Sequence, residues 1–261
     1  MERIERLLVD RSIPSIRRHS EPLLFIHGMW GGSWTFENWL RFVADAGWEA
    51  WALNLRGHSG SRPVPNLGAV SFEDYVQDAA EVLQRIGPAV VIGHSMGGLI
   101  AQRAATRQGV RAGVFITSAA PRGILALRWP VVSRLVRYVG PLLTNRPFKL
   151  RDADAVALLL NSMTAAAQAA TLPRFTDESG RAARELALGL PAVDAASVRC
   201  PTLVVGASDD RITPAAVQRR IAAKYGSEYI EVTGRGHMWP VADGWETPLR
   251  QVLEWLERKM K

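Results

Sequence analysis

Residues 89–108 read AVVIGHSMGGLIAQRAATRQ and contain the pattern that decides the fold. Four apolar residues typical of a buried strand lead into a Gly-x-Ser-x-Gly motif at 93–97, and a helical pattern follows at once. Small residues two positions before and after Ser95 are needed in so sharp a turn, because larger side chains would collide there. The turn presents the serine hydroxyl beside a helix N-terminus, which favours developing negative charge. A glycine-rich turn with an idle serine is the alternative interpretation.

Similar apolar runs recur along the chain and predict the sheet. Runs of four or five apolar residues without alternation are typical of strands buried on both faces, as in a parallel sheet covered by helices. They occupy 22–28, 49–57, 89–95, 112–120, 202–210 and 228–237. Helical patterns at 34–46, 72–86, 97–108, 214–225 and 245–260 lie between or after them, and Ser71 with Asp74 resembles a helix-capping pair. The sequence therefore predicts an α/β fold with a doubly wound, mostly parallel central sheet flanked by helices.

The alternation of strands and helices stops over residues 121–198, where helical patterns are broken by several prolines. An insertion between two parallel strands must lie at one edge of the sheet, and the C-terminal edge is where such sheets bind ligands. We therefore expect a core domain made of residues 1–120 and 199–261, with 121–198 as a helical cap over the site. A helical layer without a role in ligand binding is the alternative.

A serine hydroxyl is a weak nucleophile unless a base takes its proton, and histidine is the natural base near neutral pH. His237 is the candidate base, because it lies in a glycine-flanked loop after the last predicted strand. His94 adjoins Ser95, so its side chain is expected to point away from the serine. The base needs a carboxylate partner that fixes its tautomer. Asp209 and Asp210 both follow the strand at 202–207, and the local pattern leaves either one open.

Five motifs in order make the chain resemble the α/β-hydrolase family over nearly its whole length. They are HGMWGG at 27–32, LRGHS at 55–59, GHSMGG at 93–98, DRITP at 210–214 and GH at 236–237. The resemblance implies Ser95 as nucleophile and His237 as base, and it favours Asp210 over Asp209 as the acid. It also implies an oxyanion hole formed by the backbone N–H groups of Met29 and Met96. The family's first hairpin has no clear strand pattern in residues 1–20.

The composition and charge of the chain indicate which partners, location and cofactors to expect. The net charge of +7 is spread along the chain and no nucleic-acid motif accompanies it, so no nucleic-acid partner is expected. The N-terminus has no apolar signal-peptide core, and the weakly polar stretch at 155–172 is too polar for a membrane span. We expect a cytoplasmic protein without stable membrane insertion. Paired Cys/His spacing of the kind that binds metals is absent from the sequence, so neither metal nor cofactor is expected.

The implied reaction is ester hydrolysis through an acyl-enzyme. The predicted cap is rich in aliphatic residues, and Trp30, Trp129 and Trp239 are candidate pocket residues, which suggests a small-molecule ester with an apolar acyl or aromatic group. A carboxylesterase or small lipase is the leading hypothesis. A thioesterase, lactonase, carbon–carbon hydrolase or perhydrolase could use the same machinery. A non-catalytic receptor that uses the same pocket is the third.

Overall fold

A computed structural model describes residues 1–126 and 129–261, and residues 129 and 130 through their backbone alone. The described residues form ten strands. In chain order these are β1 (Glu2–Ile4), β2 (Leu7–Ser12), β3 (Leu23–Ile26), β4 (Ala50–Asn54), β5 (Ala89–His94), β6 (Val110–Ile116), β7 (Pro147–Phe148), β8 (Glu178–Ser179), β9 (Thr202–Ala207) and β10 (Glu228–Val232). Eight of them form the central sheet, and β7 pairs with β8 outside it.

The central sheet has the order β1-β2-β4-β3-β5-β6-β9-β10. Six strands are parallel to one another, namely β4, β3, β5, β6, β9 and β10, whereas β2 runs antiparallel to both β1 and β4. The predicted mostly parallel sheet is confirmed. The N-terminal hairpin was not visible in the sequence, because it buries only one face: Leu7 and Val9 are buried, while Leu8 between them is half-buried.

Helices cover both faces of this sheet. In chain order the helices are α1 (Glu37–Asp45), α2 (Phe72–Ile86), α3 (Met96–Ala104), α4 (Trp129–Leu135), α5 (Val139–Thr144), α6 (Asp152–Leu158), α7 (Ala165–Thr171), α8 (Gly180–Ala187), α9 (Ala215–Tyr225) and α10 (Glu246–Lys259). The buried residues of α1 and α10 pack with one face of the strands, and those of α2, α3 and α9 with the other. This arrangement confirms the doubly wound α/β architecture.

Apolar side chains of the helices pack against the strands and fix the position of the sheet. On one face, the Phe25 ring of β3 lies 5.0 Å from Phe36 and 6.0 Å from Trp39, measured between ring centroids. Each large apolar side chain removed from water stabilises the fold by about 1.5–3 kcal/mol. The capping pair expected before α2 is also present: Ser71 Oγ accepts a hydrogen bond from the Asp74 amide, and the Asp74 carboxylate accepts one from the Ser71 amide.

The chain leaves the sheet after β6 and returns at β9, the next strand in the sheet. Between them lie α4 to α8, with a separate hydrophobic cluster that includes Leu158, Leu160 and Phe175. We call residues 121–198 the cap. The sequence predicted helices alone for this segment, but β7 and β8 form a short antiparallel pair, and two residues are too few to produce a strand pattern. Within residues 1–126 and 129–261, no helix is long and apolar enough to cross a membrane.

Candidate active site

Ser95 lies at the turn between β5 and α3, with backbone angles φ 56° and ψ −120°. Residues other than glycine seldom adopt a positive φ, so the turn must be held by its surroundings. A Cβ atom on Gly93 would overlap the carbonyl group of Gly97, which explains the first glycine of the motif. The Ser95 amide donates to the carbonyl of Ile116 over 3.0 Å, and the Ser95 carbonyl accepts from the amide of Ala119 over 2.9 Å. The strained turn is therefore tied to the end of β6.

Asp210 and His237 form a buried pair at the same edge of the sheet. The distance between His237 Nδ1 and Asp210 Oδ2 is 2.8 Å, and both side chains are shielded from solvent. The amides of Ile212 and Thr213 each donate to Asp210 Oδ1 over 2.9 Å, and the Thr213 hydroxyl donates to Oδ2 over 2.8 Å. Burial raises the pKa of the Asp210 carboxyl, but His237 and these hydrogen bonds outweigh it and leave that pKa below its ordinary value. The geometry keeps Asp210 ionised and orients the imidazole.

The neighbouring Asp209 is placed differently. It is exposed, and its Oδ1 accepts a hydrogen bond from the hydroxyl of Ser208 over 2.9 Å. Adjacent residues in a turn point in different directions, so only one of the two carboxylates reaches the histidine. That carboxylate belongs to Asp210.

His94 anchors the loop that carries His237. The distance from His94 Nε2 to the carbonyl oxygen of His237 is 3.0 Å, so Nε2 carries the proton and donates it. The two imidazole ring centroids are 4.8 Å apart. Burial, together with the nearby His237, lowers the pKa of His94 to about 3, which keeps it neutral. His94 therefore serves as a fixed support between the turn at Ser95 and the His237 loop.

Residues 27–32, which we call the oxyanion loop, pack directly against the serine. A Cβ atom on Gly28 would lie 2.7 Å from Cβ of Ser95. Among the described residues, neither the Met29 amide nor the Met96 amide donates a hydrogen bond to another group of the chain. Met96 is the first residue of α3, where the helix dipole favours negative charge. The two predicted oxyanion donors thus have free N–H groups on elements that meet at Ser95.

A cavity of about 520 Å³ opens beside Ser95, between the core and the cap. Its lining is mostly apolar and includes Met29, Val131, Tyr138, Phe148, Leu186 and Ile212. Of the described residues that line it, Arg122 alone has a charged side chain. A cavity of this size and character suits an apolar group rather than a highly charged substrate.

The three tryptophans predicted for the pocket have different positions. Trp30 lines the cavity. The side chain of Trp129 lies outside the described residues. The prediction for Trp239 is wrong, because its indole is buried in the hydrophobic core and does not line the cavity. The ring centroids of Trp239 and Trp39 are 5.3 Å apart. A short 3₁₀ turn at Trp239–Val241 directs this side chain into the core although it follows His237 closely in sequence.

A family model described as the alpha/beta hydrolase family matches residues 23–255, which is most of the chain. The chain belongs to the α/β-hydrolase family. Among solved structures, a thermophilic esterase from Thermogutta terrifontis superposes with a TM-score of 0.76 at 18% identity, covering 98% of this chain and 94% of that one. A monoacylglycerol lipase from Paleococcus ferrophilus gives 0.70 at 18% identity, covering 96% and 98%. At such low identity these likenesses establish the fold alone.

A curated relative is similar over a shorter stretch. The sn-1-specific diacylglycerol lipase of Danio rerio is 32% identical over 92 residues, which is 34% of this chain and 28% of that protein. The matched stretch thus covers less than a third of that relative's length.

Sequence reasoning missed several residues of this α/β hydrolase that surround the site. The DRITP motif contains Thr213, but the motif does not indicate that the Thr213 hydroxyl donates a hydrogen bond to Asp210. Glu178 of the cap lies buried against the oxyanion loop, where its Oε2 is 3.3 Å from the amide nitrogen of Trp30. Nothing local in the sequence marks Glu178, because its partners are far away along the chain. Among residues 1–126 and 129–261, no cluster of three His, Cys, Asp or Glu side chains is arranged to hold a metal ion.

Proposed function

We propose that this α/β hydrolase is a carboxylesterase that cleaves small esters with apolar acyl or aromatic groups through an acyl-enzyme. The observation that carries the proposal is the buried Asp210–His237 pair beside the turn that holds Ser95. A carboxylate, an imidazole and a serine hydroxyl in this order are the parts that acyl transfer requires. In the proposal, the cap forms the outer wall of the substrate cavity.

In the acylation step, the Ser95 hydroxyl attacks the ester carbonyl carbon while His237 Nε2 takes its proton. Asp210 holds His237 by the bond to Nδ1 and stabilises the imidazolium that forms. The negative charge on the former carbonyl oxygen is stabilised by the amides of Met29 and Met96. His237 then gives its proton to the departing alkoxide, so the alcohol leaves and the acyl group remains on Ser95.

Deacylation repeats the same steps with water as the nucleophile. His237 takes a proton from water, the hydroxide attacks the acyl carbon, and the oxyanion again lies at the two amides. The proton returns to the Ser95 oxygen as the acid is released. No other group is needed for the balance of atoms and charge.

The substrate proposal rests on the cavity. Its apolar lining favours an acyl or alcohol group of several carbons, and its 520 Å³ could hold a drug-sized apolar molecule. The esterase and lipase neighbours are consistent with an ester substrate, although their names describe those proteins.

The test is hydrolysis of p-nitrophenyl esters from acetate to palmitate by the wild type and by Ser95→Ala. We expect activity that peaks at one chain length and falls to background in the variant, with a fluorophosphonate adduct on Ser95 in the wild type alone. Wild-type activity equal to that of Ser95→Ala at every length would refute the esterase proposal. Matched thioesters, lactones and peroxide with acetate would then identify which of the related reactions takes place.

A further inference from the structure

The cap carries a carboxylate that is completely buried under the oxyanion loop. Glu178, in β8, has 0% exposure. Its Oε1 accepts hydrogen bonds from the Tyr75 hydroxyl and the Ser179 amide, both over 2.6 Å. Its Oε2 accepts a bond from the Trp30 amide over 3.3 Å and lies 3.3 Å from His58 Nε2. A charged group buried so deeply destabilises the fold unless it is paired and hydrogen-bonded. These four contacts provide the partners that the Glu178 carboxylate needs.

His58 Nε2 and Glu178 Oε2 lie within ion-pair distance, 3.3 Å apart, although Nε2 makes no hydrogen bond to any described residue. The distance from His58 Nδ1 to the carbonyl oxygen of Arg56 is 3.0 Å, which places a proton on Nδ1 and leaves Nε2 facing the carboxylate. Burial opposes charge on both groups, but their attraction outweighs it: the pKa of His58 is raised and that of Glu178 is lowered. The other titratable groups close to His58 or Glu178 are His27, Tyr75 and Asp78.

Glu178 and the residue two before it fix the peptide groups on both sides of Trp30. The Trp30 amide bonds Glu178, and the Trp30 carbonyl accepts from the Thr176 amide over 2.9 Å. Trp30 has φ 61°, an unfavourable conformation for a bulky residue, which persists only when surrounding contacts impose it. The cap therefore holds the residue that follows Met29 in a strained conformation.

Hydrogen bonds also fix the orientation of the peptide group between Gly28 and Met29, which carries the Met29 N–H. Its carbonyl, that of Gly28, accepts from His27 Nδ1 over 2.7 Å and from the Gly31 amide over 3.2 Å. Because a peptide group is planar, fixing the carbonyl also fixes the opposite N–H direction. His27 in turn lies 5.2 Å from His58 between ring centroids and accepts from the Leu55 amide over 3.2 Å. Contacts thus run from Glu178 of the cap to both sides of the predicted oxyanion donor.

We propose that Glu178 is a positioning residue for the oxyanion hole, through its bond to Trp30 and its ion pair with His58. The inference rests on the proposed function, since it concerns how Met29 meets the reacting oxygen. It makes the cap a part of the catalytic geometry as well as a wall of the cavity.

The test compares Glu178→Gln with a matched control, Asp154→Asn. Asp154 is also a buried cap carboxylate that accepts a hydrogen bond from a tyrosine hydroxyl, that of Tyr138 over 2.6 Å. Within residues 1–126 and 129–261, the other polar partners of this carboxylate are Arg134 and Arg137 of the cap, and none belongs to the oxyanion loop. Both variants are first checked by circular dichroism and melting temperature. The steady-state constants for the best p-nitrophenyl ester are then measured, together with inhibition by a trifluoromethyl ketone, which forms a tetrahedral adduct.

For Glu178→Gln we expect kcat to fall by about 10- to 100-fold with KM within about twofold, and the ketone to bind more weakly by a similar factor. We expect amide hydrogen exchange over residues 27–36 to become about tenfold faster. Asp154→Asn should alter neither kcat nor the exchange of this segment. If Glu178→Gln does not fold, His58→Gln replaces it, with the same direction expected.

A folded Glu178→Gln with wild-type kcat and wild-type exchange would overturn the inference. So would equal losses in Asp154→Asn, because these would indicate general damage to the cap. A wild type that hydrolyses none of the esters would instead refute the proposed function, and the exchange measurement would still test the link between Glu178 and the loop.

Discussion

Gly28 and Ser95 are in such close contact that a Cβ atom added to Gly28 would lie 2.7 Å from Cβ of Ser95. The same atom would lie 3.2 Å from the carbonyl oxygen of His94. The oxyanion loop and the turn at Ser95 are thus packed without space for a methyl group on Gly28. The separation of the loop from the serine is set by this contact.

Gly28→Ala is therefore expected to push the loop away from Ser95 and to lower kcat by about 100-fold, the effect of losing one oxyanion donor. The measurement is the steady-state hydrolysis of the best p-nitrophenyl ester. Gly140→Ala is the matched control, because a Cβ atom on Gly140 in α5 meets nothing within 4 Å. Unchanged kcat in Gly28→Ala would contradict the close-packed arrangement.

The two adjacent aspartates give a second prediction. Asp210→Asn is expected to reduce kcat by about 10⁴-fold, because the amide cannot stabilise the correct tautomer of His237 or its protonated form. Asp209→Asn should stay within about twofold of the wild type, since surface substitutions away from special contacts have small effects. Kinetics of both variants at pH 7.5 provide the measurement. A larger loss in Asp209→Asn than in Asp210→Asn would reverse the assignment of the acid.

The ion pair of His58 and Glu178 predicts how stability depends on pH. The pKa of Glu178 is lowered from 4.5, so its contribution is present above that value and is lost as pH falls through the lowered pKa. The pKa of His58 is raised from 6.5, so its contribution is complete below that value and is lost as pH rises through the raised pKa. Both contributions are complete only between pH 4.5 and 6.5.

The melting temperature should therefore differ most between the wild type and a His58→Gln/Glu178→Gln double variant within that pH window. Thermal unfolding followed by circular dichroism at half-unit steps from pH 4 to pH 10 measures the difference. His27, Tyr75, Asp78 and Arg56 remain in both proteins, so the comparison reports the two substituted groups together with their effect on the pKa values of His27 and Tyr75. A difference that grows steadily above pH 8 would contradict the ion pair.

The cavity predicts a change of chain-length preference. Ala187 lines the cavity, and Ala187→Phe would fill part of it. We expect hydrolysis of p-nitrophenyl laurate to fall by about tenfold while that of the acetate stays within about twofold, because only the longer chain needs the filled space. Ala169→Phe on the exposed surface of α7 is the control. Equal losses for both esters would argue against this cavity as the acyl site.

Most of the sheet could be predicted from the sequence because β3, β4, β5 and β9 are short runs buried on both faces. The edge strand β10 differs, since only Val232 in it is buried. The turn at Ser95 could also be predicted, because a side chain at Gly93 would clash with the Gly97 carbonyl and only glycine fits there. The choice between Asp209 and Asp210 needed the direction of each side chain in one turn. The pattern of the chain alone does not supply that direction.

Contacts between distant parts of the chain were beyond prediction. Glu178 meets Tyr75 and Trp30 across more than a hundred residues, and no local pattern links them. The closeness of Trp239 to His237 in sequence predicts a pocket residue, but a short helical turn directs its side chain into the core. Closeness in sequence to a site residue indicates where a backbone passes, but it does not indicate where a side chain points.

The departure of the cap from β6 and its return at β9 have an evolutionary consequence. β6 and β9 are parallel, so the chain must cross back to the opposite edge of the sheet before β9, and the Arg122 amide donates to the Pro191 carbonyl over 2.7 Å where that return begins. The segment between these two residues can therefore be replaced by one of another length or shape without breaking a pairing of the central sheet. Glu178 restricts that freedom. A transplanted cap that lacks a carboxylate at this depth would leave Trp30 without its restraint, and burial would then lower the pKa of His58 and favour its neutral form. Cap exchange in this lineage is therefore expected to require compensating changes in the core at His58 or Trp30.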